Sequence, residues 1–172
     1  MDMKGLTSTS SMIAISGALS ETAPNTFTQQ QVDLQLNPLD NEVFVVFAVD
    51  INLTPPDADV SLASTTISSS VSTTSRTGLG TIGDSNVLAE AQDKLVNDTS
   101  AGVMAAFSRK AGETPTSDLP YIAIISSNDF FVQLEGRGNT DAKAVSYRLW
   151  GARYRATASV YAALLQSEIL SA

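Results

Sequence analysis

At 172 residues the chain suits one domain with a full hydrophobic core, since folding at about 150 residues removes about 70% of the unfolded surface from water. It has no cysteine and no histidine, which excludes disulfides, thiolate catalysis and cysteine-type zinc sites, and with them the usual activator of a serine nucleophile. Its net charge of −8 opposes a dedicated nucleic-acid binder, because phosphate affinity comes from Lys and Arg.

The N-terminal stretch, residues 1–27, reads as an arm. Its apolar run is short, diluted with Ser and Gly and preceded by Asp2, so it is not expected to be a cleaved signal, and SSMIAISGAL within it is a weak first strand. QQQVDLQL alternates Val32, Leu34 and Leu36 with polar residues, the period of a half-buried strand. EVFVVFAVDINL, Glu42 to Leu53, predicts a central strand buried on both faces at its middle. The two prolines of TPPDAD end it.

Residues 61–77 are 12 of 17 Ser or Thr and predict a solvent-facing β segment. Gly78, Gly80 and Gly83 then form GxGxxG. The nucleotide fingerprint needs a buried hydrophobic strand just upstream, and the approach here is Ser/Thr-rich, so the glycines are read as a flexible loop, permitting positive φ, before a capped helix. DSNVLAEAQDKLVND predicts a helix near residues 85–97, with Asp84 or Ser85 as cap and Val87, Leu88, Ala91 and Leu95 on one face. Strands resume at AGVMAAFS, LPYIAIISS and DFFVQLEG, and SSND between the last two predicts a hairpin.

AVSYRLWGARYRA reads as a strand with Val145, Tyr147 and Leu149 on one face. Its other face is expected to present a row made of Arg148 and Trp150 and, beyond Gly151, of Arg153 and Arg155, opposite Tyr154. From Thr157 a helix follows, with Val160, Tyr161, Leu164, Leu165 and Ile169 as its apolar stripe. Charge is divided along the chain: residues 1–135 carry five basic and sixteen acidic side chains, net −11, and residues 136–172 five basic and two acidic, net +3.

Trp, Tyr and Arg are enriched at interface anchors. Arg148, Trp150, Arg153, Tyr154, Arg155 and Tyr161 are therefore the candidate subunit-interface residues, with acids such as Asp57 and Asp59 of a neighbour as partners for the arginines. Asp50, Asp57 and Asp59 flank TPP and could hold calcium through oxygen ligands, although their spacing fits no EF-hand. No cofactor is expected.

The short strands VDLQL, EVFVVFAVDINL, YIAIIS, FFVQLEG and AVSYRLW, with Ser/Thr-rich connections and two helices, resemble a small single jelly-roll capsid protein of a virus. The resemblance covers residues 28–158 in pattern. It implies a mainly β, antiparallel sandwich forming a single domain of arm (1–27), sandwich (28–156) and C-terminal helix (157–172). It implies further a non-enzymatic, self-assembling virion subunit whose partners are its own copies and other shell proteins. No membrane span is expected, because no apolar run approaches the roughly 20 residues that a bilayer requires. Contact with nucleic acid is not the expectation for this chain; any contact with a genome would fall to the basic C-terminal strand or to another protein. A monomeric extracellular carbohydrate-binding or adhesin-like module, with its ligand on Trp150 and Tyr154, is the alternative.

Overall fold

A computed structural model describes residues 3–110 and 119–171. The described strands are β1 (Leu6–Ser8), β2 (Ile13–Ser20), β3 (Thr28–Asp33), β4 (Glu42–Leu53), β5 (Ser64–Ser72), β6 (Val87–Asp98), β7 (Val103–Arg109), β8 (Ala123–Ile125), β9 (Asp129–Arg137) and β10 (Ala144–Ala156). Among the described residues one α-helix, α1 (Ala158–Leu170), follows. The strands form two antiparallel sheets packed as a sandwich. Sheet I runs β1-β10-β4-β8, with β2 pairing β10 beyond β1, and sheet II runs β3-β9-β5-β6-β7. Four of the pairings are nested in the chain: β2 with β10, β3 with β9, β4 with β8, and β5 with β6.

The core between the sheets is built from alternate residues of each strand, as the pleat requires. Phe44, Val46 and Val49 of β4 meet Ile67 and Val71 of β5, Phe130, Val132 and Leu134 of β9, and Val145, Tyr147 and Leu149 of β10. Each such fully buried side chain contributes about 1.5–3 kcal/mol relative to exposure. Phe130 and Tyr147 meet edge to face, with ring centroids 6.3 Å apart. A second cluster lies on the outer face of sheet I, where Met3, Leu6, Val43, Val45, Ala152, Tyr154 and Ala156 are roofed by Val160, Tyr161 and Leu164 of α1. Val43 to Val46 are thus buried on both faces of the sheet, as their unbroken apolar run implied.

Several sequence expectations are corrected. Residues 3–27 are more than an arm, since they supply β1 and β2, both paired to β10, and the weak strand expected in SSMIAISGAL is β2. The helix predicted near 85–97 is β6. Its helical spacing is overridden by pairing to β5 on one side and β7 on the other, which turns Ala89 and Ala91 inward at a period of two. The SSND segment joins no hairpin, because β8 belongs to sheet I and β9 to sheet II.

The Ser/Thr-rich β5 is not solvent-facing. It is a central strand of sheet II, with Thr65, Ser69, Ser70 and Ser72 buried. Their hydroxyls are satisfied: the Ser69 Oγ donates to the Gln133 carbonyl (2.7 Å), the Ser70 Oγ to Gln133 Oε1 (2.8 Å), and Gln133 Nε2 donates to the Ser72 Oγ (2.7 Å). The connection after β5 folds back over them, where Gly80 N donates to the Ser70 Oγ (3.1 Å). None of Gly78, Gly80 and Gly83 has positive φ. Gly80 is needed for closeness instead, since a Cβ there would lie 2.3 Å from Val87 Cγ2.

Candidate functional site

β10 carries most of the candidate residues, and its alternation runs unbroken through Gly151. The register irregularity between Trp150 and Gly151 falls on the β4 side, where Ala48 and Val46 are successive partners and Phe47 is skipped. Even-numbered residues therefore face outward along all of β10, and odd-numbered residues face the other sheet. The expected row is divided: Arg148 and Trp150 are on the outer face, Arg153 and Arg155 on the opposite one. Tyr154 shares the outer face with Arg148 but is buried beneath α1.

Arg153 is committed to its own chain. Its guanidinium donates to the Leu34 carbonyl (2.8 Å) and the Gln35 carbonyl (3.0 Å) and pairs with Glu42 (3.3 Å), closing the β3–β4 connection over the end of the core. Arg155 makes an exposed pair with Asp40 at 3.5 Å, of the kind worth about 0–1 kcal/mol. Lys143 pairs with Asp57, and Arg137 with Glu135 at 3.4 Å. The charge division along the sequence is thus largely neutralised within the chain. Among the described residues, Arg148 is the one base of residues 136–172 without an ion-pair partner.

Arg148 stands on the bare half of the outer face of sheet I. Its guanidinium carbon lies 5.5 Å from the centre of the Trp150 ring, a cation–π arrangement, and its Nε donates to the Ser16 Oγ at 3.0 Å. The Trp150 indole N–H donates to Asp50 at 3.4 Å. Outward neighbours on β2 are the small, exposed Ala14, Ser16, Ala18 and Ser20. A groove of about 430 Å³ crosses this face, lined by Ser16, Asp50, Asn52, Lys110, Ser146 and Arg148.

The three calcium candidates are not brought together. Asp50 lies on β4 beside Trp150, whereas Asp57 is held by Lys143 and by the Thr140 N–H (2.7 Å) and Oγ (2.8 Å). These donors, the Lys143 ammonium first, keep the Asp57 carboxyl far below the usual carboxylate range. The Ser61 hydroxyl and N–H lower that of Asp59 in the same way. No group of three acidic side chains placed to hold a metal occurs among the described residues.

Two features were missed in the sequence. The first is the buried Glu21, which accepts from Gly136 N (2.6 Å), Lys143 N (2.8 Å) and Thr26 N (3.1 Å) and ties together the connections at one end of the sandwich. A lone acid in a Ser/Thr/Asn-rich stretch gave no signal for it. The second concerns α1, whose presence the sequence did predict but whose contacts it did not. Its only charged side chain, Glu168, is used internally, accepting from Ser126 N (3.1 Å), Ser126 Oγ (2.7 Å) and Ser127 N (2.7 Å). No residue of the helix is buried, although Ile169 is 74% and Leu170 77% exposed. Absence of charge from Ala158 to Ser167 was the available sign.

No known protein family and no curated protein matches the chain in sequence.

Proposed function

We propose that the chain is a structural subunit of a self-assembling shell, of the kind that forms a virus capsid. The observation that carries this reading is the nested pairing of β2 with β10, β3 with β9, β4 with β8 and β5 with β6. Such nesting is what a long eight-stranded hairpin rolled over itself would give, and so it supports a jelly-roll reading of the sandwich, a fold in which viral shells are built. Fold alone does not assign function, so the surface must supply the rest of the argument. A helix with apolar residues on more than one side belongs in a buried setting, yet α1 turns Val160, Tyr161 and Leu164 to sheet I and leaves Ile169 and Leu170 exposed, with no residue buried in the single chain. Neighbouring subunits would provide that setting. The virion is the corresponding location, and copies of the chain, with other shell proteins, are the corresponding partners.

Light scattering of the purified protein across concentration and salt, with electron microscopy of the eluted material, tests the reading. Large regular particles are expected. An 18.1 kDa monomer under every condition would overturn it.

A second reading rests on the groove beside Arg148 and Asp50 and on the half-exposed Trp150. A monomeric carbohydrate-binding module would stack a sugar on that indole, with Asp50 and Asn52 as hydrogen-bonding neighbours. Trp150 fluorescence that responds to added glycans, and not to protein concentration, would favour it.

A further inference from the structure

We propose that β7 is an assembly edge, at which a second copy of this chain adds its own β7 antiparallel across a two-fold axis and joins two five-stranded sheets into one. The proposal rests on the self-assembly reading above and names the surface it uses. β7 ends the order of sheet II, and among the described residues it pairs with β6 alone. From Val103 to Arg109 every residue but Met104 is exposed, with Val103 at 62% and Phe107 at 60%.

Proteins protect such edges by shortness, charge, proline or a bulge. β1 and β8 are three residues long, and β3 carries Asp33 and three consecutive glutamines; β2 is a long uncharged edge too, but it draws alternate residues, Ile15 and Leu19, against the core. β7 carries charge only at its last residue, Arg109: the preceding VMAAFS contains no charge and no proline, and its register on β6 runs without a bulge.

The charges at its two ends indicate what covers it. Asp98 stands at the turn where β7 begins, directly across from Val103, and Arg109 and Lys110 stand where it ends. Antiparallel addition of a second copy sets each basic end beside the other's acidic turn, whereas parallel addition sets like beside like. Arg109 already meets Glu90 within its own chain, so the intermolecular contact extends an existing pair into a network. A strand paired with itself about a two-fold axis is also self-complementary, as a closed dimer contact must be.

The chain's lack of cysteine makes the test clean. Opposed residues of an antiparallel pair have Cα atoms about 4.5–5.5 Å apart, inside the disulfide range of about 4.4–6.8 Å. Single variants of the full chain, Val103→Cys, Met104→Cys, Ala105→Cys, Ala106→Cys and Phe107→Cys, are oxidised with oxidised glutathione at a concentration where the unsubstituted chain associates by light scattering. Ala18→Cys on β2 and Ala163→Cys on α1 serve as comparison positions. One or two adjacent β7 positions should give covalent dimer from most of the chain, with yield falling on either side, and Phe107→Lys should weaken association at least tenfold. If the unsubstituted chain associates but β7 cysteines cross-link no more than Ala18→Cys, the edge assignment is overturned and assembly stands. If the unsubstituted chain stays monomeric and no cysteine cross-links, the assembly reading falls, and the edge with it.

Discussion

The Lys143 ammonium grips the Asp57 carboxylate where the β4–β5 connection passes the start of β10, and the Lys143 backbone N–H is held at the same time by Glu21. One residue thus joins connections that are far apart in sequence. Asn139 completes the junction, donating from its backbone N to Asn25 Oδ1 (2.8 Å) and accepting at its Oδ1 from the Asp57 N–H (2.9 Å). Charge buried at this end of the sandwich is tolerable because each acid is fully engaged.

Asp57 should make stability depend on acid. Its folded pKa lies below the ordinary value of about 3.9, because the ammonium and the Thr140 donors favour the ionised form. The sign follows from linkage: this contribution is complete above about pH 4 and is lost as pH falls from there toward the depressed folded value. Denaturant unfolding at pH 7 and at pH 3 should show the natural chain losing stability on acidification. Asp57→Asn should be less stable at pH 7 and lose less between the two conditions. An equal loss in both proteins would remove Asp57 from the acid response.

Gln133 should be indispensable to sheet II although it is polar. It is fully buried, and its amide is shared among the Ser70 and Ser72 hydroxyls and Gln29 Oε1 (3.0 Å). Each buried partner left unsatisfied costs about 1–3 kcal/mol. Gln133→Ala should therefore lose at least about 2 kcal/mol, read as a lowered denaturation midpoint at constant slope. A loss below about 0.5 kcal/mol would place the amide among ordinary surface positions.

How far the sequence could be read follows from such residues. β4 and β10 were legible because Val, Phe and Tyr follow the periods that burial imposes. β6 was not, since Val87, Leu88, Ala91 and Leu95 satisfy a helical period as well as a strand, and only the partners β5 and β7 decide between them. β5 was misread because serine was taken as a solvent signal, while its hydroxyls are answered by Gln133, more than sixty residues away. The divided face of β10 turned on Gly151. A glycine in a strand invites the inference of a break, but here the extra residue is Phe47, on the neighbouring strand.

Gly151 yields its own prediction. A Cβ at this position would lie 2.2 Å from Phe44 Cε1 and 2.5 Å from the Val45 carbonyl oxygen, and the latter belongs to a paired strand that cannot retreat. Gly151→Ala should cost about 1–3 kcal/mol or more through overpacking. Gly78→Ala meets nothing within 4 Å and should be neutral or gain up to about 1 kcal/mol by restricting the unfolded chain. Thermal midpoints of the two variants measured together decide the matter. Similar values would deny the close approach of β10 to Phe44.

Arg153 and Arg155, two residues apart on the same face, should respond unequally to the same substitution. Arg153→Ala releases the Leu34 and Gln35 carbonyls and leaves Glu42, only 16% exposed, without its ion-pair partner and with the Asn37 N–H alone. A loss of about 2–4 kcal/mol is expected from such partly buried, charge-assisted bonds. Arg155→Ala breaks only the exposed pair with Asp40 and should stay within about 0.5 kcal/mol of the natural chain. Any failure of the Arg153 variant to assemble should therefore follow its loss of fold, visible as a lowered thermal midpoint in far-ultraviolet circular dichroism. An Arg153 variant with an unchanged midpoint but lost assembly would instead show this guanidinium reaching a neighbouring subunit.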